Sequence, residues 1–312
     1  MNKQTLLGIV IVIIGAVVLF TNVFDLEFRN TKGEKGSQLY DAQSINELTV
    51  RTSSVNVKLL PSESESIQLK LYDSNHKSYD ISSYVSTSQY SNALDLTVKS
   101  PRKWYLPFQF KSYTLELIVP TQLVNTLNVE TNSGNIRSDR LDVEMFALEA
   151  NSGNITLNDI TSTDLSAHAK SGNITIDQLD SSTLSLHANS GNAKATSFKA
   201  EHVEVEVNSG NITLIGDAAG LDATAKSGNI NAELQDLTKD SSIQANSGNV
   251  KLILHKQPSS LAITHRKGSG NSSVSKSGFE ITSQDNDRLE GKFGSGDVKL
   301  DVQTKSGNFS LR

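Results

Sequence analysis

Asn151-Ser152-Gly153-Asn154-Ile155-Thr156-Leu157 decides the fold, because it recurs. Ser-Gly-Asn or a near copy returns with its glycine at positions 134, 153, 172, 191, 210, 228, 248, 270, 296 and 307. The spacing is 19 residues through the first four intervals, then 18, 20, 22, 26 and 11. A fixed period of this length marks a repeat architecture, in which each unit stacks on its neighbours.

One unit reads as two short strands and a corner. Phe146-Ala147-Leu148-Glu149-Ala150-Asn151 alternates apolar and polar, as a strand with one buried face does. Ser152-Gly153 interrupts the pattern, and Asn154-Ile155-Thr156-Leu157 resumes it. Glycine and asparagine tolerate positive φ, so Gly134, Gly153, Gly172, Gly191, Gly210, Gly228 and Gly248 are expected at structural corners. Shifting by the period keeps like with like. Phe146 maps to Leu165, Leu184 and Val203, and Ile155 maps to Ile174, Ala193, Ile212 and Ile230. Intervening columns such as Glu149, His168, His187 and Glu206 are polar. Nineteen residues leave no room for a helix. The sequence therefore predicts an all-β, single-stranded β-solenoid (a β-helix). Leucine-rich and nine-residue calcium-binding repeats are excluded by their missing patterns.

The rest of the chain is organised around this repeat. Leu6 to Phe20 is an unbroken run of apolar residues and glycine that extends through Thr21 and Asn22 to Phe24. As a helix, 19 such residues span roughly 28 Å, enough for a bilayer core; a cleaved secretory signal is the alternative, but no Ala-x-Ala-like site follows Phe20. The expected layout is a transmembrane anchor over 1–24, a polar tether over 25–38, an irregular β cap over 39–120 and the solenoid over 121–312. Four of the five prolines fall in the cap region, where they suit edges and strand ends. Ser53-Ser54-Val55-Asn56 there looks like a decayed repeat corner. A long C-terminal domain translocates largely regardless of flanking charge, which favours a solenoid outside the membrane. Arg29, Lys32 and Lys35 favour the inner face instead.

The chain carries 29 basic and 34 acidic side chains, a net charge of −5. That balance gives no electrostatic footprint for nucleic acid. With no cysteine there is no disulfide, thiol nucleophile or thiolate metal site. Nucleophile-elbow, zinc-helix and phosphate-loop motifs are missing, and the carboxylates are scattered across columns, so no catalytic residue, cofactor or metal is expected. The corner asparagines, including Asn135, Asn154, Asn173, Asn192 and Asn211, form a column suited to a hydrogen-bonded ladder. His168 and His187 share an outward column but lack a third ligand for zinc. Thr156, Thr175 and Thr213 share another, broken by Lys194 and Asn231. The candidate contact for a partner is Arg102, Lys103, Trp104, Tyr105, Phe108 and Phe110, an aromatic run with basic flanks that alternatively packs the cap.

An N-terminal apolar segment followed by Ser-Gly-Asn-[Ile/Val] repeats resembles the bacterial "putative adhesin" family of β-solenoids over roughly 45–312. The anchored layout is similar to LiaG-type proteins of Gram-positive bacteria, associated with cell-envelope stress. The resemblance implies a non-catalytic envelope protein that binds an unknown envelope protein or polymer. A scaffold tethered to the inner face is the alternative, and a carbohydrate-active β-helix enzyme, needing paired carboxylates in a groove, is a third.

Overall fold

The computed structural model describes residues 36–101 and 111–312. Among them no helix is long and apolar enough to cross a membrane, and the one helical turn is a 3-10 segment at Ile81–Ser83. The expected anchor and most of the tether lie outside the described residues.

The regular shaft begins with β9 (Thr126–Thr131), β10 (Ile136–Asp142) and β11 (Met145–Ala150). It continues through β12 (Ile155–Ser171), β13 (Ile174–Ser190), β14 (Ala193–Ser209) and β15 (Ile212–Ser227), then β16 (Ile230–Leu234), β17 (Ser241–Ser247) and β18 (Val250–Leu254). Successive rungs pair in parallel and in register, so Phe146 stacks on Leu165, Leu165 on Leu184, and Leu184 on Val203. These four side chains are almost fully buried. Each such burial contributes about 1.5–3 kcal/mol, and the columns merge into one continuous core.

The Ser-Gly-Asn corner is built differently from the expectation. The glycines are required first by stacking: a Cβ on Gly153, Gly172, Gly191, Gly210, Gly228 or Gly248 would run into the carbonyl oxygen of the column glycine one rung below. Positive φ holds only from Gly191 onward, at 143–153° in Gly191, Gly210, Gly228 and Gly248. The left-handed corner lies elsewhere. Arg140, Asp159, Gln178 and Ser197, one period apart, all have φ of 54–57°. Each drops out of the ladder, as where Asn158 pairs with Asp177 and Ile160 with Leu179 but Asp159 pairs with nothing. The 18-residue interval is explained here. Thr196 pairs with Ile215 and Phe198 with Gly216, so β15 has simply lost the left-handed residue.

At both ends, chain order departs from stack order. The N-terminal strands are β1 (Ser37–Asp41), β2 (Glu47–Thr52), β3 (Asn56–Ser62), β4 (Ser66–Asp73), β5 (Ser78–Tyr79), β6 (Val85–Tyr90), β7 (Ala93–Val98) and β8 (Tyr113–Pro120). β2–β3 lies between β7–β8 and β9–β10, parallel to both. Antiparallel β6 and β4 then cover β7 and β8. Residues 39–120 therefore supply two turns of the stack as well as its cover.

The C-terminal strands are β19 (Ser260–Ser269), β20 (Ser272–Val274), β21 (Glu280–Gln284), β22 (Arg288–Gly294), β23 (Val298–Ser306) and β24 (Phe309–Leu311). β23–β24, last in sequence, slides between β17–β18 and β19–β20. Antiparallel β22 and β21 close the outside. Gly307 thus sits on Gly248, and Gly270 sits on Gly307. Gly296 does not join the column: with φ of 77° it belongs to the turn between β22 and β23, near Ala262 and Lys292.

Candidate functional site

Two surfaces of the shaft are candidates from sequence, and the structure adds a third. The corner surface is a structural ladder. The Oδ1 of each corner asparagine accepts the backbone N–H of the asparagine on the next rung, from Asn56 to Asn135 at 2.9 Å through to Asn308 and Asn271 at 2.8 Å. Among the described residues ten asparagines are linked by nine such bonds. At six of these steps the same Oδ1 also accepts from the side-chain Nδ2 of the next asparagine, at 3.0–3.4 Å, so the expected amide ladder is present beside the backbone bonds. Asn56 belongs to the decayed corner, and its place at the head of the ladder explains that motif.

The histidine column faces outward. His168 and His187 meet edge-on with ring centroids 4.7 Å apart. His187 Nε2 donates to Asn189 Oδ1 at 2.8 Å, leaving Nδ1 toward Glu206 at 3.6 Å. Partial burial, with the His187 ring beside it, pushes the His168 pKa down. Lys170 and Lys226 pair with Glu149 and Glu206 at 3.5 and 3.4 Å. Exposed pairs of this kind contribute under about 1 kcal/mol each. No cluster of three metal-ligating side chains exists among the described residues.

The third surface is a groove of about 510 Å³ running along the stack. It is lined by the same two or three positions of consecutive rungs: Ser162, Ser181, Ala200 and Ala218 form its floor. Asp180, Lys199 and Asp217 form one wall. Small floor residues make the depression, and stacking makes it long. The serines are tied inward, with Ser181 Oγ donating to the Thr183 carbonyl at 2.9 Å. Asp180 and Asp217 lie two rungs apart, about 10 Å, with Lys199 between them. The signal was present in sequence as a column of small residues one period apart.

Another buried charge belongs to the cap. Burial would raise the pKa of Asp73, but hydrogen bonds from Lys111 Nζ, the Lys77 and Asn75 amides and the Tyr79 hydroxyl hold it below the usual carboxylate range. Tyr79 is correspondingly pushed up to about 12, by burial and then by Asp73. Asp73 therefore organises a turn. The aromatic candidates Arg102, Lys103, Trp104, Tyr105, Phe108 and Phe110 lie outside the described residues.

Solved structures of the same architecture cover nearly all of the described chain. A "putative lipid binding protein" from Parabacteroides distasonis is 13% identical, with a TM-score of 0.53 and 88% of this chain and 96% of that one covered. A "putative adhesin" from the same species is 12% identical, with a TM-score of 0.52 and coverages of 88% and 95%. A "putative adhesin" from Parabacteroides merdae is 13% identical, with a TM-score of 0.51 and coverages of 89% and 97%. Likeness at such identity speaks for the fold alone. No curated protein matches the chain. The Toastrack DUF4097 model matches residues 45–312, and the chain belongs to that family.

Proposed function

We propose that this protein is a non-catalytic binding rod, anchored through its N-terminal apolar segment and displayed outside the membrane, whose groove receives an extended envelope protein or polymer. The groove carries the reading. It runs along the axis across consecutive rungs, one wall presents Asp180, Lys199 and Asp217 in succession, and its floor is made of small side chains. An extended chain with polar groups at regular spacing is the ligand shape that such a surface fits. The adhesin descriptions of two structural neighbours agree with binding rather than turnover. A role in cell-envelope stress, implied by the LiaG-type resemblance, belongs to the same reading. The basic residues after the apolar segment, Arg29, Lys32 and Lys35, favour the inner-face scaffold as the second reading.

One substitution addresses both the side of the membrane and the groove. Ser182 is exposed at the groove, and the chain has no native cysteine. Ser182→Cys is expected to react with a membrane-impermeant thiol reagent on intact cells, and the bulky adduct to reduce chemical cross-linking of the rod to other envelope material. Reaction only after lysis would put the rod inside. Unchanged cross-linking of the labelled rod would remove the groove from the proposal.

A further inference from the structure

Charge is divided unevenly along the rod. Residues 121–259 hold 9 basic and 17 acidic side chains, a balance of −8, whereas residues 260–312 hold 8 and 6, a balance of +2. The excess at the C-terminal tip is concentrated in an open cleft of about 430 Å³ between β19, β22 and β23. Arg266 and Lys267 of β19, Arg288 of β22 and Lys305 of β23 line it, with Asp287 the one carboxylate in the lining.

The arrangement breaks a rule of sheet construction. Arg266 and Arg288 are direct cross-strand partners in the antiparallel β19–β22 pair, and like charges placed opposite one another destabilise a sheet. Each arginine has a lateral carboxylate, Asp301 at 3.5 Å for Arg266 and Glu290 for Arg288. Lys267 and Lys305 have no carboxylate partner among the described residues. A local rule broken and then compensated by neighbours is characteristic of functional sites. Four cations from three strands, two of them guanidinium forks, match the charge and the several acceptor oxygens of a phosphate group.

We propose that this tip cleft binds a phosphate group presented by a lipid headgroup or a small soluble phosphate. The shaft limits what carries it. With a balance of −8 next to the cleft, a long polyanion lying along the rod is repelled, so the phosphate is approached end-on. This site is separate from the shaft groove and holds on either side of the membrane.

The test uses the purified full-length chain with two probes. Inorganic pyrophosphate is titrated calorimetrically, and co-sedimentation is compared between phosphatidylcholine vesicles and equimolar phosphatidylcholine–phosphatidylglycerol vesicles. Affinity is expected to fall about ten-fold or more in K267A/K305A, and less in Q303E, which adds a carboxylate to the cleft without removing a cation. The paired shaft lysines provide the control: K170A/K226A removes the same charge and is expected to leave binding unchanged. Pyrophosphate binding with this pattern supports a site for soluble phosphates. The same pattern confined to phosphatidylglycerol vesicles supports a headgroup site. No pyrophosphate binding together with equal co-sedimentation on the two kinds of vesicle, or equal losses in the tip and shaft variants, overturns the proposal.

Discussion

Between Thr126 and Leu254 the shaft is stacked in the order in which it is synthesised, whereas at each end one turn is inserted out of order. The shaft spends its sequence on sameness. Each rung repeats the same columns, so a rung can be exchanged or lost while its neighbours still match. The ends spend theirs on closure. β2–β3 and β23–β24 have partners on both edges, and the outermost turns are covered by antiparallel strands. An uncovered parallel edge would invite pairing with other chains, so closure is what keeps the rod finite.

Deletions should expose this contrast most strongly. Removing residues 174–192 takes out 19 residues, joins Asn173 to Ala193 and restores every column. The shortened rod is expected to melt within about 5 °C of the parent in calorimetry. Removing residues 298–312 takes out fewer residues but leaves β19–β20 facing β17–β18 across a vacant rung. That variant is expected to lose its tip, binding a hydrophobic dye and succumbing to protease from the C-terminal end. Equal effects of the two deletions would show that the inserted turn has no special role.

Single glycines sharpen the comparison at smaller scale. Gly172→Val places a Cβ against the Gly153 carbonyl and prises two rungs apart, a loss of about 4 kcal/mol. Gly296→Ala at the tip meets only the Ala262 and Lys292 side chains, nearest at 3.3 Å, and costs mainly the positive φ, about 1 kcal/mol. Urea midpoints measure both. Similar values would mean that the stack accommodates a Cβ at Gly172 without parting the rungs.

The same two regions explain what was legible in the sequence. Phe146, Leu165, Leu184 and Val203 announced a stack because one shift aligned them all, and the asparagine ladder followed from the same shift. The left-handed corner stayed hidden because Arg140, Asp159, Gln178 and Ser197 share a backbone angle and no side-chain type. The inserted turns were invisible for a subtler reason. Ser-Gly-Asn at 270 and at 307 fits the column equally well, and nothing local states which one stacks on Gly248. The groove follows the period, but the tip cleft joins β19, β22 and β23, so its charges become neighbours only once the stacking order is known.

Histidines offer the finest comparison, because both regions hold one whose charged form is disfavoured. In the shaft, His168 keeps part of its ring near solvent. At the tip, His265 stands in a core column: it pairs with Val302, which pairs with Ile243, and it is fully buried against Phe309. Thr304 Oγ1 donates to the Gly307 carbonyl, so it must accept from His265 Nε2, at 2.9 Å, while Nδ1 accepts from Ser272 at 2.7 Å. Burial, with Lys267 adding to it, lowers the His265 pKa to about 4. In the unfolded chain the ordinary value is about 6.5. Above that pH both states are neutral and the tip keeps its full stability. As pH falls from about 6.5 to about 4, only the unfolded state takes up the proton, and stability drops by up to about 3 kcal/mol. Below about 4 both states are charged and this loss stops growing. Denaturant unfolding followed at the tip between pH 7.5 and 4 is expected to show this dependence, and His265→Leu to flatten it. A slope that survives the substitution would assign the acid sensitivity to other groups, with His168 in the shaft the first to examine.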